Sequence, residues 1–353
     1  MKFLPERIKP SPMVAGKNKQ PGVLHPTAVK TIALTGTAGF LGSSILRELE
    51  KKNSKDLRLI AIDKKKPPFD TRKTKFYRLD LTETLADSKL LDILKAENVD
   101  TLIHTAFPIT PTPKLGQAHE LQSVGTMYLL DACAAAKVRK VVLASTTDVY
   151  GAHPTNPNFL SEEHPLRGGY RSQFIADKID AEAQAIRFAK KYPETIITIL
   201  RPCTIVGPTI HNFKTTFLQR PVVLTVMGYD PLFQFVHEKD VLRAFLMVIQ
   251  KDYPGIFNVV GEGVLPLSKV LQLCGKIGIP VPSAALYPMA QAMWYLDFFP
   301  APPSHIDFLK YLCIADGGKA KKVLNFAPQY STREALADFI GAKRVEQIHL
   351  AEA

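Results

Sequence analysis

Cysteine is scarce in this sequence, and its spacing forms no pairs. The 353 residues include Cys133, Cys203, Cys274 and Cys313, which lie far apart and make no C-x-x-C motif. This spacing argues against a disulfide framework and against a zinc site, and it is typical of reduced thiols in the cytoplasm. We therefore expect a cytoplasmic protein without a bound metal.

Long apolar runs are also missing. No stretch reaches the length of about 20 apolar residues that a membrane-spanning helix needs. The first 22 residues have no continuous apolar core, so they do not resemble a secretory signal. We expect residues 1–28 to form a flexible basic tail.

Acidic residues are outnumbered by basic ones. The chain has 45 Lys and Arg against 33 Asp and Glu, a formal net charge of +12, and much of the excess lies in the tail and in residues 64–78. Basic surfaces suit nucleic acids, anionic membranes or acidic substrates. The sequence has no nucleic-acid-binding module and no basic stripe interleaved with aromatics. We therefore expect no nucleic-acid partner and favour peripheral contact with an anionic membrane.

The sequence does contain a glycine-rich turn between a predicted strand and a predicted helix. Residues 31–42 read TIALTGTAGFLG, an apolar run followed by Gly36, Gly39 and Gly42, and an amphipathic stretch continues from there. Gly36 allows a tight turn, Gly39 lets the backbone approach phosphates closely, and Gly42 lets the helix pack on the sheet. The free N–H groups at the helix start then point at the anion. The pattern predicts a dinucleotide pyrophosphate site.

An acidic residue follows at the spacing expected for a ribose partner. The segment LRLIAID ends a second predicted strand at Asp63, 21 residues after Gly42. A carboxylate at that position accepts hydrogen bonds from the ribose hydroxyls and favours NAD. Lys64 and the two lysines after it either pair with the 2′-phosphate of NADP or form a solvated basic turn. We predict NAD rather than NADP, because Asp63 would repel a 2′-phosphate.

Strands and helices alternate through the first 200 residues. This rhythm predicts the α/β class, with a Rossmann-type doubly wound parallel sheet that binds its ligand beyond the carboxyl ends of the strands. After Pro202 the elements become shorter and mixed, which predicts a smaller mixed α/β C-terminal lobe. The predicted units are a dinucleotide-binding domain over 29–200, a substrate lobe over 201–345 and a tail over 346–353. The predicted strands are 30–35, 57–62, 75–79, 100–105, 139–145, 194–200, 222–225, 234–237 and 255–259, and the predicted helices lie near 40–52, 86–98, 114–136, 168–192, 238–251 and 265–277.

Residues 281–313 are unusually aromatic and include the only tryptophan, Trp294. One interpretation is a helical pair that packs its apolar face on the lobe. The other is a substrate lid or a surface that rests on a bilayer. Both interpretations fit the composition.

Several segments together resemble the extended short-chain dehydrogenase/reductase family, which includes nucleotide-sugar epimerases and dehydratases and the 3β-hydroxysteroid dehydrogenases. The resemblance covers about residues 29–345 and is greatest for a bacterial branch labelled UDP-glucose 4-epimerase-like. The matching segments are TGTAGFLG, Asp80-Leu81, TLIH with the following Thr105-Ala106-Phe107, VVLASTTDVYG at 141–151, LRPCTIVGP at 200–208 and FVHEKDV at 235–241. The resemblance implies NAD-dependent chemistry and assigns cofactor contacts to Gly36, Gly39, Phe40, Leu41, Gly42, Asp63, Lys64, Asp80, Leu81, Thr105, Ala106, Lys178, Pro202 and Thr204.

The chemistry of this family needs three groups. A Ser or Thr hydroxyl holds the substrate oxygen, a Tyr exchanges the proton, and a Lys lowers the pKa of that Tyr and binds the nicotinamide ribose. By position, Thr146 matches the hydroxyl and Lys178 the lysine, but the Tyr position holds Phe174, which carries no proton. Tyr170 lies one helical turn earlier on the same predicted stripe, so it is either the relay or a core aromatic.

The substrate segment departs from the sugar-nucleotide pattern as well. Members that bind sugar nucleotides usually read R-D-F-I-H where this chain reads FQFVH, so Phe233 replaces the arginine that grips a diphosphate. Arg220, Arg201 or Lys214 could substitute for it. The replacement favours an apolar substrate.

The sequence supports two functions. The first is an NAD-dependent oxidoreductase or epimerase acting on a secondary alcohol or ketone of a nucleotide sugar or of an apolar, lipid- or sterol-like small molecule. Thr146 would position the oxygen, Lys178 would bind the ribose, and Tyr170 or water would relay the proton. The second is a weakly catalytic or non-catalytic NAD-binding protein or partner subunit, because Phe174 interrupts the proton path. The resemblance also implies a homodimer through a four-helix interface of helices 114–136 and 168–192.

Overall fold

A single sheet of seven parallel strands organises the chain. We describe it from a computed structural model, over residues 30–52, 56–108, 110–112, 115–210, 212–296 and 302–352, with the backbone alone at residues 115 and 346–352. The predicted tail over 1–28 lies outside these residues. The strands in the described ranges are β1 (Lys30–Thr35), β2 (Leu57–Asp63), β3 (Thr74–Arg78), β4 (Thr101–His104), β5 (Lys140–Ala144), β6 (Ile196–Pro202), β7 (Thr204–Val206), β8 (Val222–Val226), β9 (Leu232–Phe233), β10 (Phe235–His237), β11 (Gly255–Val259), β12 (Leu265–Pro266) and β13 (Ile277–Val281).

The order across the sheet is β11-β6-β5-β4-β1-β2-β3. The topological switch point lies between the parallel strands β1 and β4, because the chain adds β2 and β3 on one side of it and the later strands on the other. The α-helices in the described ranges are α1 (Phe40–Lys51), α2 (Ala86–Ala96), α3 (Leu115–His119), α4 (Gly125–Ala135), α5 (Gln173–Lys191), α6 (Phe213–Thr216), α7 (Glu238–Gln250), α8 (Leu267–Cys274), α9 (Ser283–Tyr295) and α10 (Thr332–Glu352). This order and the crossovers confirm the predicted Rossmann-type doubly wound sheet.

The sheet is buried on both faces, as its nearly continuous apolar strands require. On one face Ile32 and Leu34 of β1 lie in a core with Leu46 of α1 and Phe245 of α7. On the other face Ala33 belongs to a second core with residues of α2, α4 and α5. Because side chains alternate along a strand, the two cores take alternate residues of β1. Of the described helices, none combines the length and apolar character needed to cross a bilayer.

The C-terminal part of the chain builds three small strand pairs, β10 with β7, β12 with β9, and β13 with β8. Their shared core includes Phe235, Val270, Leu336 and Phe339. Two boundaries differ from the predicted ones. Strand β11, predicted within the 201–345 lobe, forms the edge of the main sheet beside β6, and α10 continues through residues 346–352, which were predicted as a tail.

Two helix boundaries also differ from the predicted ones. Helices α3 and α4 are joined by a π-helical turn at Glu120–Val124, so the helix predicted near 114–136 is one run with a bulge. Helix α5 begins at Gln173 after the cap Ser172, whose hydroxyl oxygen accepts from the N–H of Ile175. Residues 168–170 form a separate 3-10 turn, because Gly168 packs so closely on the backbone of Asp148 that a Cβ would lie 2.2 Å from its carbonyl oxygen.

A buried ion pair ties α5 to the sheet. Arg201 of β6 donates from Nε to both carboxylate oxygens of Glu182, at 3.0 and 3.1 Å, and both side chains are almost fully buried. Ser145, just after β5, also donates to Glu182. Arg201 donates to the hydroxyl of Tyr150 at 2.8 Å. Charge-assisted bonds of this kind satisfy both ions only while all partners are present.

We expect Glu182→Leu to lower the free energy of unfolding by about 3–5 kcal/mol, because it leaves the Arg201 guanidinium buried without its counter-ion. The double variant Glu182→Leu/Arg201→Met should regain much of that loss. Urea-induced unfolding followed by circular dichroism measures both. As a control, Lys89→Gln removes an exposed pair with Glu83 and should change the stability by less than about 1 kcal/mol. A Glu182→Leu variant as stable as that control would contradict this assignment.

Candidate functional site

The glycine turn after β1 is held by contacts that only glycine permits. Gly36 has a φ of +78°, and a Cβ there would lie 2.5 Å from the carbonyl carbon of Thr105. A Cβ on Gly42 would lie 2.2 Å from the carbonyl oxygen of Gly36. These two glycines therefore let β1, the start of α1 and the end of β4 approach one another, as the sequence analysis predicts for a turn and for helix packing.

Gly39 differs from the other two glycines. It is the N-cap of α1, and a Cβ there would meet only the carbonyl oxygen of Gly36, at 3.3 Å. No side chain caps this helix start. The contacts within the chain therefore explain Gly36 and Gly42 but not Gly39, and a close approach of a ligand to the backbone would explain it.

Asp63 closes the turn from the neighbouring strand. Its Oδ2 accepts from the N–H of Ala38 in the glycine turn at 2.9 Å, and its Oδ1 accepts from the N–H of Lys65 at 3.2 Å. It ends β2 and pairs in register with Arg78 of β3. The carboxylate that was predicted as the ribose partner thus lies at the edge of the same turn.

The basic residues after Asp63 border a surface depression. Lys64 and Lys65 line it together with Arg78, Asp80 and Glu83. Asp80 Oδ1 accepts from both the N–H and the hydroxyl of Thr82. This depression lies at the carboxyl ends of β2 and β3, which is the end of the sheet where the adenosine half of a dinucleotide binds in Rossmann folds.

The remaining predicted cofactor residues form the wall of the turn or its support. Thr105 donates from its hydroxyl to the carbonyl oxygen of Thr35 at 2.7 Å, so it fixes the ends of β4 and β1 to each other. Ala106 is half-buried beside it. Leu81 is buried and packs against Gly125 of α4, where a Cβ would lie 3.3 Å from the Leu81 Cβ. Leu81 is therefore core support for the depression. Phe40 and Leu41 open α1, and Leu41 packs on the sheet core.

Thr146 follows β5 at the carboxyl edge of the sheet and is half-buried. It caps a short 3-10 turn, Thr147–Tyr150, and its Oγ1 accepts from the N–H of Asp148 at 3.3 Å. This bond uses the oxygen as an acceptor, so the hydroxyl hydrogen stays available to donate to another oxygen.

Lys178 lies on α5, and aromatic rings surround its ammonium. The Nζ is 4.2 Å from the ring centre of Phe107 and 5.6 Å from that of Phe174, and no described residue accepts a hydrogen bond from it. Phe107 lies two residues after Thr105, which is bonded to the end of β1, so Lys178 contacts the segment that supports the glycine turn. Burial lowers the pKa of Lys178 to about 8, although the nearby carboxylates of Asp148 and Glu182 oppose that shift.

The predicted stripe of Tyr170, Phe174 and Lys178 is wrong for its first member. Because α5 begins at Gln173, Tyr170 lies outside it in the preceding 3-10 turn, and its side chain is 87 % exposed. Its ring contacts the guanidinium of Arg171 at 5.8 Å. Phe174 and Lys178 do share the α5 stripe, one turn apart. The structure therefore places Thr146 and Lys178 at the sheet edge and Tyr170 in solvent.

A buried carboxylate that the sequence did not predict, Asp148, lies two residues after Thr146. It forms an ion pair with Lys214 of α6 and is almost fully buried. Lys214 also lies 3.4 Å from the hydroxyl oxygen of Thr204, a predicted cofactor residue, and Pro202 ends β6 just before it. The pair lies between the sheet edge and the C-terminal lobe. The only sequence signal was an acidic residue in the TTDVYG segment.

His305 was also missed, because a single His in an aromatic segment carries little signal. Its ring lies 5.0 Å from that of Phe213, which in turn is 6.1 Å from Phe174. Both ring nitrogens are buried and have no hydrogen-bond partner in the described structure. Burial lowers the pKa of His305 to about 4, so the ring is neutral at pH 7. The negative charge of Asp148 opposes this shift, and the positive charge of Lys214 adds to it.

The structure agrees with the first interpretation of the aromatic segment, a helical pair that packs on the lobe. Residues 283–295 form α9, and Pro303–Leu309 form a 3-10 helix that packs against it around Ile306 and Leu286. His305 from this 3-10 helix reaches toward Phe213 and Phe174. The segment is therefore a packed helical pair whose His305 joins the aromatic contacts of Phe213 and Phe174.

The cations proposed to replace the diphosphate arginine are mostly engaged. Arg201 is buried in its pair with Glu182, and Lys214 is paired with Asp148. Arg220 is exposed at the start of β8. Phe233 lies between the rings of Phe217 and Phe235, at 6.4 and 6.0 Å. The surroundings of Phe233, which stands at the position of the family's arginine, are therefore apolar.

Thiol and metal chemistry have little support in the described ranges. The four cysteines are free thiols, three of them buried. In the part of the chain that the structure describes, no group of three or more His, Cys, Asp or Glu is arranged to hold a metal ion.

Comparison with known proteins places this geometry in context. Residues 32–260 match the model of the NAD dependent epimerase/dehydratase family. Uncharacterised proteins of Mycobacterium bovis and Mycobacterium tuberculosis are 28% identical over 331 residues, 92% of this chain and 87% of theirs. Sterol demethylase protein B of Methylococcus capsulatus is 26% identical over 335 residues, 88% of this chain and 97% of its own.

Solved structures with low sequence identity share the fold. DesIV, a dTDP-glucose 4,6-dehydratase from Streptomyces venezuelae solved with NAD bound, is 22% identical and has a TM-score of 0.69, covering 90% of this chain and 98% of that one. UDP-glucose 4-epimerase from Thermotoga maritima, solved with UDP-glucose, is 21% identical with a TM-score of 0.68, covering 90% and 99%. At these identities the likeness establishes the architecture.

We expect Gly39→Ala to fold normally and to bind NAD at least about tenfold more weakly, because its Cβ displaces only a neighbouring carbonyl oxygen but occupies the space above the turn. Titration with NAD and thermal unfolding measure the two properties. Gly116→Ala is the matched control, since a Cβ there meets nothing within 4 Å. Equal NAD affinity of Gly39→Ala and the control would contradict the site.

Proposed function

The chain belongs to the NAD-dependent epimerase/dehydratase family, and from this premise we propose that it is an NAD-dependent oxidoreductase acting on a secondary alcohol or ketone of an apolar, sterol- or lipid-like substrate. The observation that carries the proposal is the position of Lys178. Its ammonium lies over the ring of Phe107, in the segment that supports the glycine turn, and its helix is tied to the end of β5 beside Thr146. A cation, a hydroxyl and a phosphate turn at one sheet edge are what hydride transfer to a dinucleotide needs.

The cofactor residues present fit NAD. The uncapped start of α1 and the room above Gly39 suit a pyrophosphate, and the Asp63 carboxylate suits a ribose diol. Lys178 would donate to the hydroxyls of the second ribose, since no described acceptor uses its ammonium. When bound, NAD supplies the hydride acceptor or donor. The family is NAD-dependent, in agreement with the predicted cofactor.

Thr146 would hold the substrate oxygen. Its Oγ1 accepts from the N–H of Asp148, which orients the hydroxyl hydrogen away from that amide. The same turn holds the buried Asp148–Lys214 pair, so the oxygen would bind next to fixed charges rather than bulk water. Such fixed charges orient a polar substrate group at little reorganisation cost.

The proton requires a different group from the one that the family pattern provides. Phe174 carries no proton, and Tyr170 lies in solvent. We propose His305 for this role, because its neutral ring has two buried nitrogens without partners and stands one ring, Phe213, away from Phe174. One nitrogen of a neutral imidazole donates and the other accepts, so it can take up or release a proton at a substrate hydroxyl.

The proposal of an apolar substrate depends on the residues that line the site. Phe233 stands in an aromatic stack, and the buried Arg201 and paired Lys214 are committed to Glu182 and Asp148. A diphosphate would therefore find two of the three candidate cations already paired, with Arg220 alone exposed just before β8. The similarity to sterol demethylase protein B supports the same class. The row of Phe174, Phe213 and His305 offers ring faces for a flat apolar substrate.

A second candidate function is NAD binding without turnover. Phe174 is buried against Phe213 with its ring edge-on, so the family's proton position is filled by hydrocarbon. General acid–base catalysis is typically worth about 10²–10⁴-fold, and its loss would leave cofactor binding intact. In this case His305 would be part of the aromatic packing.

The predicted homodimer and the cytoplasmic location stay proposals. Helix α5 and the α3–α4 run lie side by side, with Gln184 donating to the carbonyl oxygen of Ser123 at 3.2 Å. These are the helices that the family resemblance assigns to a four-helix interface. Their adjacency supports that arrangement.

We expect purified protein with NAD to form NADH with sterols or long-chain secondary alcohols and not with UDP-sugars, because the diphosphate position lacks a cation. Absorbance of NADH measures the rate, and UDP-glucose should not raise the melting temperature. Turnover of a UDP-sugar would overturn the substrate class. No turnover with any substrate, together with a gain of activity in Phe174→Tyr, would favour the second candidate function.

We expect His305→Gln to lower kcat by about 100-fold or more while NAD affinity stays unchanged, because glutamine cannot exchange a proton. Tyr170→Phe is the matched control and should keep full activity, since its ring is in solvent. Steady-state kinetics with the best substrate and titration with NAD measure both. A His305→Gln enzyme within about twofold of the original rate would remove His305 from the mechanism.

A further inference from the structure

The C-terminal lobe carries an exposed apolar face made by two paired strands. Strands β8 and β13 are parallel, with Val222 opposite Ile277 and Leu224 opposite Ile279. These four side chains are 42 %, 66 %, 37 % and 45 % exposed. Val223, between the two β8 residues, is buried. The alternation places four aliphatic side chains together on the outer surface of the pair. We call these four residues the apolar face.

The strand ends extend this surface. After β8 the chain continues through Met227 and Tyr229, which are also exposed. Tyr229 stands edge-on to Tyr311 at 5.9 Å, and the Lys310 ammonium lies 5.0 Å from the Tyr229 ring. Tyrosine rings beside a lysine are typical of groups that sit at the level of lipid headgroups.

Cations border the other end of the apolar face. Arg220 lies just before β8 and Lys276 just before β13, so both stand at the same end of the parallel pair; Arg220 is exposed and Lys276 is half-buried. Lys276 lies 3.5 Å from the carbonyl oxygen of Gln219. At the end that holds Tyr229, Lys310 stands with two acidic residues: Asp230, whose carboxylate accepts from the N–H and hydroxyl of Ser268, and Asp307, whose charge acts on Lys310. The apolar face is therefore bordered by two cations at the Arg220 end and by charges of both signs at the Tyr229 end.

We propose that the apolar face rests on an anionic phospholipid membrane, with its aliphatic side chains among the upper acyl chains and Arg220, Lys276 and Lys310 on the headgroups. Buried apolar area together with attraction to anionic lipid is the usual basis of such interfacial binding. The proposal does not depend on the oxidoreductase activity.

The charges around the apolar face and the backbone of β13 favour a lipid surface over another protein chain as the partner. Pro280 in β13 has no N–H to donate and Gly278 weakens the strand, so the exposed edge is a poor template for an added strand. A second copy placed face to face with its strands running in the same direction would bring Arg220 and Lys276 close to the same cations. An anionic bilayer instead supplies apolar depth and negative charge over the whole surface.

The test is flotation of the full-length protein with vesicles of phosphatidylcholine alone or with about one third phosphatidylglycerol. We expect at least about tenfold stronger binding to the anionic vesicles. Ile277→Asp/Ile279→Asp should lose that binding by about tenfold or more, because two carboxylates would enter the bilayer surface. Leu85→Asp is the matched control and should bind like the original protein. Leu85 is 65 % exposed in the first domain, and its φ of +64° suits Asp.

A second pair of substitutions keeps the test informative if the first destabilises the lobe, which circular dichroism and thermal unfolding would show. Arg220→Gln/Lys276→Gln leaves the apolar face intact and should weaken binding to anionic vesicles by about tenfold or more, since each cation near such a surface contributes about 1 kcal/mol. Binding to neither vesicle, or equal binding by all folded variants, overturns the proposal. A dimer in light scattering that Ile277→Asp/Ile279→Asp dissociates would assign the face to a second copy instead.

Discussion

The buried pair of Arg201 and Glu182 fixes helix α5, which carries Lys178, against the sheet. Glu182 lies one turn after Lys178 on α5, and Phe174 lies one turn before it, so the three share a stripe. Glu182 is bonded to Arg201 of β6 and to Ser145 at the end of β5. Two strands therefore fix the rotation of α5 about its axis, and with it the direction of the Lys178 ammonium. A shift of this helix would move the cation away from the ring of Phe107.

The glycine turn is also held in place, but by close backbone contacts instead of charges. Gly36 and Gly42 bring β1, α1 and the Thr105 backbone to distances that no Cβ permits. The result is a rigid floor whose helix start is uncapped. Phe107, two residues after Thr105, then places a ring under Lys178. The phosphate turn and the candidate catalytic helix are thus connected through one short segment after β4.

The sequence predicted the fold well and the site only in part. The sheet followed from local periodicity and the glycine spacing, because buried parallel strands and a phosphate turn leave strong patterns in the chain. The start of α5 was missed because Gly168 is committed to a distant contact with Asp148. Asp148–Lys214 and His305 could not be predicted, since their partners lie far away in sequence and become neighbours only on folding. Because α5 begins only at Gln173, Tyr170 matches the helical spacing in the sequence but lies in solvent before the helix.

The edge strand β11 has a consequence for how the protein can be divided. It reaches back from the C-terminal part of the chain to pair with β6 over Thr198 to Pro202, and α7 covers the α1 face of the sheet just before it. A fragment ending near residue 200 would lose both, and would expose the apolar β6 as an open edge. The dinucleotide-binding unit therefore extends to Val259 at the end of β11, and a fragment that ends near residue 200 would not contain all of it.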